Sequence, residues 1–248
     1  MARSDWAIMT GSADGTGWAG VTILRDATFG HTPPPGGGLA CFGFNAIQRV
    51  DAAVGVVPQI VGFAPMPSGG QITGCIQRGL SGGASGFSGA LFLCATGANV
   101  GDAGYLLGIE DATPGRIVLA KGAVGVGIPS DGTGTKILRT SSERFSQGEW
   151  LHLRLDAIVQ ASGDVVLRVY KNNLLSHPLD NPAAWVWEPV VFSDGWVGQF
   201  SDGYFIDDSV GVNSGSVPLT SGYPGFMFKT TEAGRRYYFD HIGLVQQA

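Results

Sequence analysis

The chain has 248 residues and a formal net charge of −5, and only 14% of its residues are charged, against about 25% in an average domain. Its 15 basic residues are scattered, which excludes a positive stripe for a nucleic-acid backbone. No run approaches the roughly 18 apolar residues of a membrane span, so we expect no membrane partner. The N-terminal stretch MARSDWAIMTGSADG lacks an apolar segment of signal-peptide length, and we expect synthesis in the cytoplasm without a signal peptide.

Short runs rich in β-branched and aromatic residues follow one another along the chain, each bounded by Gly, Pro, Asp or Asn. The predicted strands, in chain order, are AGVTILRDATF, LACFGFNAI, AAVGVVPQIVGF, GQITGCIQRG, SGALFLCAT, GYLLGIED, GRIVLAKG, TKILRTS, EWLHLRLDAIVQ, DVVLRVYKN, PVVFSD, GYPGFMFKT and RYYFDHIGLV. This rhythm predicts an all-β fold of two antiparallel sheets. The 40 glycines indicate many tight turns and long Gly-rich loops.

The composition does not shift along the chain, so we expect a single domain over residues 1–248. Residues 1–40 then supply an N-terminal strand followed by a Pro/Gly-rich loop around HTPPPGGG. Strand-like runs lie on both sides of this loop at the same spacing. It is therefore interpreted as a long loop and not as a domain boundary.

The three cysteines, Cys41, Cys75 and Cys94, are far apart in sequence and lie inside apolar runs. An odd number of cysteines in such surroundings is typical of buried reduced thiols. A disulfide framework or a zinc site held by sulfur is not expected.

The segment GEWLHLRLDAIVQASGDVVLRVYKNN, Gly148 to Asn173, alternates apolar and polar residues over two consecutive strands. This alternation predicts a β-hairpin that turns at ASG. The predicted core face comprises Leu151, Leu153, Leu155, Ala157, Val159, Val165, Leu167 and Val169, and the polar face comprises Trp150, His152, Arg154, Asp156, Arg168 and Tyr170.

The register set by this turn places Asp156 opposite Arg168, which predicts a cross-strand ion pair. It also places Arg154 opposite Tyr170, which predicts a cation–aromatic contact. The polar face with His152, Arg154 and Tyr170 has two interpretations, a ligand-binding groove or a solvated sheet surface.

The order of these patterns resembles the concanavalin A-like and laminin G-like jelly rolls. The resemblance is carried by SGALFLCATG, by the hairpin YLLGIEDATPGRIVLAKG, by GEWLHLRLDAIVQASGDVVLRVYKNN and by GYPGFMFKTTEAGRRYYFDHIGLV. It covers about residues 60–248 and implies a single jelly-roll sandwich. It implies little about function, because one fold supports many functions.

The terminal strand contains the neighbouring residues Asp240 and His241 among aromatic residues. In folds of this kind the equivalent Phe-Asp pair, here Phe239 and Asp240, is structural, and the carboxylate satisfies nearby backbone donors. A catalytic interpretation lacks a nucleophile and an oxyanion donor. We therefore expect Asp240 and His241 to be structural.

The sequence lacks the carboxylate pattern that hydrolysis of glycosidic bonds requires. Glycosidases of the superfamily place acidic residues on one strand at alternate positions, whereas no glutamate here has an acidic residue two positions away on a strand. The motif GLSGG, with Ser81, matches a nucleophile elbow formally, but a Gly-rich stretch and a strand follow it where a helix is required. We expect no enzymatic activity.

The segment FSDGWVGQFSDGYFIDDSV gathers acidic residues that can hold a cation. Laminin G-like domains often hold calcium at the rim of the sandwich, and the resemblance implies Asp202, Asp207 and Asp208 as ligands. Asp-Gly is also common turn chemistry. Calcium and a metal-free turn therefore remain alternatives.

The same region is rich in aromatic residues. Those proposed to contact a partner are Trp185, Trp187, Trp196, Tyr204 and Phe205. Aromatic residues with few charges around them either fold onto the sheet as core or form a binding surface. Protein interfaces and sugars both favour Trp and Tyr, so the ligand is not identified by composition.

Three functions remain after these considerations. The first is a non-enzymatic structural or interaction protein of a phage-like virion, a capsid decoration or tail-associated subunit, whose aromatic loops contact other virion subunits or further copies of the chain. The alternative is a lectin-like carbohydrate-binding module that binds a glycan receptor. An enzyme acting on glycans is disfavoured by the missing carboxylates.

Overall fold

The structure is a computed structural model that describes residues 6–8, 21–25, 47–51, 59–63, 65–78, 87–97, 101–110, 112, 114–124, 135–146, 148–172, 186–193, 202–230 and 236–246. All regular structure in these residues is β-strand. The strands are β1 (Trp6–Ile8), β2 (Val21–Arg25), β3 (Ile47–Asp51), β4 (Gln59–Phe63), β5 (Gly70–Arg78), β6 (Phe87–Ala95), β7 (Ala103–Ile109), β8 (Gly115–Ala123), β9 (Thr135–Phe145), β10 (Trp150–Val159), β11 (Val165–Asn172), β12 (Trp187–Pro189), β13 (Tyr204–Asp207), β14 (Tyr223–Thr230) and β15 (Arg236–Gln246). Over this part of the chain, no helix is long and apolar enough to cross a membrane.

The strands form two antiparallel sheets. Sheet A has seven strands in the order β1-β4-β14-β6-β7-β8-β9, and sheet B has eight, in the order β12-β11-β10-β5-β15-β3-β2 with β13 paired to β11. The all-β, two-sheet antiparallel fold predicted from the spacing of apolar runs is therefore confirmed. Strands from both ends of the chain meet in sheet B, where β15 pairs with β5 and with β3.

The main core lies between the two sheets. It includes Ile72, Ile76, Leu91, Tyr105, Leu107, Leu119, Leu151, Leu153, Leu155, Leu167, Val169 and Phe226, which are all buried. The predicted apolar face of the β10–β11 hairpin is part of this core, and Leu151, Leu153 and Leu155 are each 0% exposed. Alternation of the side chains places this face on sheet A and the opposite face outward.

Sheet A also buries apolar residues on the face turned away from sheet B. A second cluster contains Ala90, Phe92, Ala95, Leu106, Val118, Ala120, Val124 and Met227, and each of these is 0% exposed. Strands buried on both faces consist of nearly continuous apolar residues, as FSGALFLCA does in β6. Sheet A is therefore an interior layer in this part of the chain.

The register predicted for the β10–β11 hairpin is confirmed. Asp156 pairs with Arg168, and Arg154 pairs with Tyr170. The Arg154 guanidinium lies 5.0 Å from the centroid of the Tyr170 ring, as predicted. The two oxygens of the Asp156 carboxylate, however, accept hydrogen bonds from Arg154 on the same strand, because residues two positions apart on a strand share a face. The predicted Asp156–Arg168 ion pair is replaced by this one.

The sequence pattern did not predict strand β13. Tyr204–Asp207 pairs with β11 at the edge of sheet B, and Phe205 lies opposite Leu167. Phe205 is 3% exposed and belongs to the main core. With only four residues, this strand gives too little alternation to be distinguished from a loop.

Candidate functional site

The outward face of sheet B is polar and aromatic where β5, β10 and β11 lie side by side. We call it the polar sheet face and define it by Gln71, Thr73, Gln77, Trp150, Arg154, Asp156, Arg168 and Tyr170. Pairing arranges these residues in rows across the strands: Gln77 beside Trp150, Thr73 beside Arg154 and Tyr170, and Gln71 beside Asp156 and Arg168. Arg168 is exposed, and apart from the buried Asp156 the others are partly exposed.

An ion pair stacked on an aromatic ring lies in the middle of this face. Arg154 donates from Nε to Oδ1 of Asp156 at 2.8 Å and from its terminal nitrogen to Oδ2 at 2.7 Å. These hydrogen bonds raise the pKa of Arg154, against the opposing effect of burial. The guanidinium has five N–H groups, so donors remain for a ligand after the pair has formed. The pair is thus a planar polar group fixed beside the Tyr170 ring.

His152 was predicted to belong to the same face, but the structure covers it completely. Its side chain and that of Asn172 are each 0% exposed. Asn172 Nδ2 lies 3.3 Å from His152 Nδ1, and the Trp187 ring centroid lies 4.7 Å from that of His152. The Asn172 amide and the His152 ring are thus within hydrogen-bond distance, and the histidine tautomer sets which of the two donates. His152 is therefore part of a buried polar row and is not available to a ligand.

Cys75 extends this row, because it lies opposite His152 on β5. Cysteine, histidine and asparagine are the residue types of one class of thiol protease triad. Cys75, His152 and Asn172 are each 0% exposed, so no substrate can reach the sulfur. The arrangement is a structural seam across sheet B.

The structure separates the aromatic residues that were predicted to meet a partner. Trp187 is partly exposed on β12 and packs against His152. Tyr204 is partly exposed and packs against the main core, whereas Phe205 is within it. Phe205 is thus corrected from a surface residue to a core residue. Trp185 and Trp196 lie outside the described residues.

The three aspartates predicted to bind calcium have other partners. Asp202 Oδ1 accepts from the Phe192 amide at 3.1 Å, and Asp208 Oδ1 accepts from the Asn213 amide at 2.8 Å. Asp207 is 0% exposed and faces the interior. No group of three or more potential ligands among the residues that the structure describes can hold a metal ion. The predicted calcium set is therefore not assembled.

The cation beside Asp207 is the ammonium group of Lys121, 5% exposed on β8. Lys121 Nζ donates to Asp207 Oδ2 at 2.7 Å, to Ser214 Oγ at 2.9 Å, and to the carbonyl oxygens of Ser216 and Val217 at 2.9 and 2.7 Å. Ser214 Oγ donates in turn to Asp207 Oδ1 at 2.5 Å. Four oxygen atoms thus surround one buried positive charge.

Tyr105 completes this group from the neighbouring strand β7, where it pairs with Lys121. Its hydroxyl donates to Asp207 Oδ2 at 2.6 Å and accepts from the Leu219 amide at 2.9 Å. Burial, followed by the bond to Asp207, raises the pKa of Tyr105 far above its usual value, so the phenol keeps its proton. The group connects sheet A to β13 and to the segment that follows it.

Sequence reasoning missed both Lys121 and Tyr105. One signal was present: Lys121 stands inside the apolar run RIVLAKG, and a lysine is almost never fully buried unless it is paired. Its partner, however, lies 86 residues away in the chain, so only the folded structure identifies it.

Two further predictions fall on residues whose side chains are not described. Asp240 pairs through its backbone with Cys75, beside an irregularity of register between Asp240 and Gly243. The side chains of Asp240 and His241 lie outside the described part, so their structural role stays a prediction. Ser81 and Cys41 also lie outside it, whereas Cys75 and Cys94 are buried reduced thiols, as predicted.

Comparison with known proteins identifies no relative in sequence, since neither a family model nor a curated protein matches. Among solved structures, the chain is similar to the carbohydrate-binding module CBM66 from Bacillus subtilis, with 10% identity over 98% of this chain and 96% of the other, at a TM-score of 0.47. A legume lectin-like domain from Entamoeba histolytica gives 11% identity over 92% and 97%, at 0.45. The β-glucanase of Bacillus licheniformis gives 8% over 100% and 94%, also at 0.45. These identities are too low to transfer a ligand or an activity.

Proposed function

We propose that the chain is a non-enzymatic carbohydrate-binding module that holds a glycan on the polar sheet face. The observation that supports this most is the arrangement of partly exposed aromatic and planar polar side chains on one face of three neighbouring strands. Trp150 lies near the start of β10. Arg154 lies four residues further along the same strand, with Tyr170 opposite it on β11. Sugar rings stack on aromatic faces, and their hydroxyls bind planar polar groups.

Rigidity of the face also supports this function. Arg154 and Asp156 are fixed by a bidentate pair, and Gln77 donates to the Gly148 carbonyl at 2.7 Å. Side chains held in place before binding lose little conformational entropy when a ligand arrives. The residues lie on three neighbouring strands, which are about 4.8 Å apart, so a ligand that lies across the strands can contact several of them together.

Binding without hydrolysis agrees with the chemistry of the described face. Glycoside hydrolysis requires two carboxylates beside the scissile bond. Of the residues that define the polar sheet face, Asp156 is the one carboxylate, and both of its oxygens accept from Arg154. A group held in this way can bind hydroxyls but lacks a second acid.

The test is a glycan-array screen of the purified chain, followed by calorimetry on the glycans that bind. We expect Trp150→Ala and Tyr170→Ala each to weaken binding by about fivefold, since a stacking contact contributes on the order of 1 kcal/mol. Arg144→Ala is the matched control, because Arg144 is an exposed arginine of sheet A. Circular dichroism must show each variant folded. Failure of every glycan to bind, or equal loss in the control, would reject the proposal.

A second candidate is a subunit contact of the kind expected in a virion, and one observation favours it. Val210, Val212 and Val217 are 76%, 76% and 66% exposed within one short segment, and exposed apolar residues that lie together often mark interaction sites. Under this function the chain self-associates, and Val210→Ser with Val212→Ser makes it monomeric in light scattering. A monomeric wild-type chain at high concentration contradicts self-association.

A further inference from the structure

We infer that residues Asp208–Leu219 form a cation-binding loop whose cation is the chain's own Lys121 ammonium, so that the site accepts a primary ammonium group and no metal ion. We call this segment the cation loop. The inference concerns a part of the fold distinct from the polar sheet face and does not depend on the glycan proposal.

Four acceptor oxygens surround the Lys121 ammonium group. They are one carboxylate oxygen of Asp207, the Ser214 hydroxyl and the carbonyls of Ser216 and Val217, at 2.7 to 2.9 Å from Nζ. Carboxylate, hydroxyl and carbonyl oxygens are the ligands that hard cations take in proteins. The distances are those of N–H···O hydrogen bonds, which suit an ammonium group.

These acceptors and Lys121 come from different parts of the fold. Asp207 ends strand β13, whereas Ser214, Ser216 and Val217 all belong to the cation loop. Lys121 lies on β8 of the opposite sheet. One side chain therefore gathers the loop around a point fixed by another part of the fold, as a bound metal ion does in metal-organised loops.

The charges also balance inside the protein. Lys121 and Asp207 have side chains that are 4% and 0% exposed and are paired at 2.7 Å. A buried ion that loses its partner is strongly unfavourable, because it is separated from water and left unpaired. Removing the ammonium should therefore leave an anionic cavity lined by oxygens, open to an added ammonium ion of the right size.

The cation loop also has hydrogen bonds of its own, and these give the competing explanation. The Gly211 amide donates to the Asp208 carbonyl and the Gly215 amide to the Gly211 carbonyl, both at 2.8 Å. If these turns alone fix the loop, the loss of Lys121 will leave it ordered. The experiment must separate the two causes.

The experiment measures hydrogen exchange of the cation loop in the full chain, with the β10 segment as an internal reference. In Lys121→Ala we expect loop amides to exchange about tenfold faster or more, since hydrogen bonds to a charged group are lost. n-Propylammonium replaces the deleted atoms and should restore slow exchange, whereas tetramethylammonium has no N–H donor and should not. Lys136→Ala is the control, because Lys136 is an exposed lysine next to Gly215.

If Lys121→Ala does not fold, the double variant Lys121→Met with Asp207→Asn removes both charges together, and Ser214→Ala removes one ligand. Faster exchange confined to the cation loop in these variants supports the inference. Wild-type exchange rates in both, or restoration of Lys121→Ala by calcium as well as by n-propylammonium, would overturn it. Glycan binding is not a readout here, so this test and that of the proposed function fail separately.

Discussion

Individual charged residues of this chain are stabilised by partners that the fold brings to them. Glu110 is 1% exposed and accepts three hydrogen bonds from Arg116, at 2.8 to 3.0 Å. The Glu143 side chain is 46% exposed and pairs with Lys171, whose side chain is 16% exposed. The two glutamates therefore differ in burial but share the same kind of partner.

We predict that Glu110→Gln costs about 1–3 kcal/mol of unfolding free energy, because a buried charged hydrogen-bond network is broken. Glu143→Gln, the matched control, should cost less than about 1 kcal/mol, as expected for a solvent-exposed ion pair. Urea denaturation of both variants measures the difference. Equal losses of unfolding free energy would show that burial does not determine how much each ion pair stabilises the fold.

The Cys94 thiol provides a prediction about pH. Burial raises its pKa to about 12, whereas the thiol of an unfolded chain ionises near pH 8.5. Above that pH the folded chain keeps a proton that the unfolded chain loses, so this group's contribution to stability falls as pH rises, by at most about 1.4 kcal/mol per unit. Between pH 8 and 10, the unfolding free energy of the wild-type chain should therefore fall relative to that of Cys94→Ala. Parallel pH profiles would contradict it.

The contacts of Lys121 lead to a prediction about the effect of removing metal ions on thermal stability. Because the Lys121 ammonium binds Asp207, one of the three aspartates predicted to hold calcium, a chelator should leave the thermal midpoint of the chain unchanged. The measurement is a thermal melt with and without chelator, and the control adds calcium back. A midpoint that falls on chelation and returns with calcium would show that a metal ion stabilises the fold.

Two turn glycines of sheet B, Gly163 and Gly203, differ in how much space is available for an added Cβ atom. Gly163, in the β10–β11 turn, has φ +88, and an added Cβ would meet only the Ser209 Cβ at 3.5 Å. Gly203, just before β13, has φ +68, and an added Cβ would lie 2.7 Å from the Val169 carbonyl oxygen and 2.8 Å from the Pro189 Cβ. Both conformations favour glycine, but only the second is also crowded.

We therefore predict that Gly163→Ala costs about 1 kcal/mol, from backbone strain alone. Gly203→Ala should cost about 2–4 kcal/mol, because overpacking adds to the strain. Chemical denaturation of the two variants decides this. If Gly163→Ala lowered the unfolding free energy more than Gly203→Ala, crowding at Gly203 would not determine the cost of these substitutions.

In the part of the chain that the structure describes, sheet A is buried on both of its faces. Phe226 lies between the sheets, at 1% exposure, and Phe92 lies on the other face of sheet A, at 0%. Both should therefore act as core residues, although alternation gives them opposite directions. The low share of charged residues, 14%, agrees with burial on both faces.

We predict that Phe92→Ala and Phe226→Ala each cost about 3–5 kcal/mol, the usual range for truncating a buried phenylalanine. The comparison is made by urea unfolding, with cooperativity checked by the slope. A negligible effect of Phe92→Ala beside a large effect of Phe226→Ala would show that only the face between the sheets is core.

The all-β class, most strands and the β10–β11 register followed from the amino-acid sequence, because alternation and turn residues act over a few neighbouring positions. Alternation alone thus assigns Leu151 to Val159 to a core face, and the ASG turn alone places Asp156 opposite Arg168. The four-residue strand β13 escaped this reasoning because its pattern is too short. Phe205 was consequently assigned to the surface and lies in the core.

Only the tertiary structure decided which polar residues are buried and with whom they pair. Lys121 and Asp207 are 86 residues apart, and His152 is covered beside Asn172 although it alternates with core leucines. Burial and pairing of this kind depend on the distance between elements that are remote in sequence, and local periodicity contains no information about that distance. The sequence thus determined the sheets and the face on which a glycan is proposed to bind, whereas the folded chain determined that the cation buried beside Asp207 is Lys121.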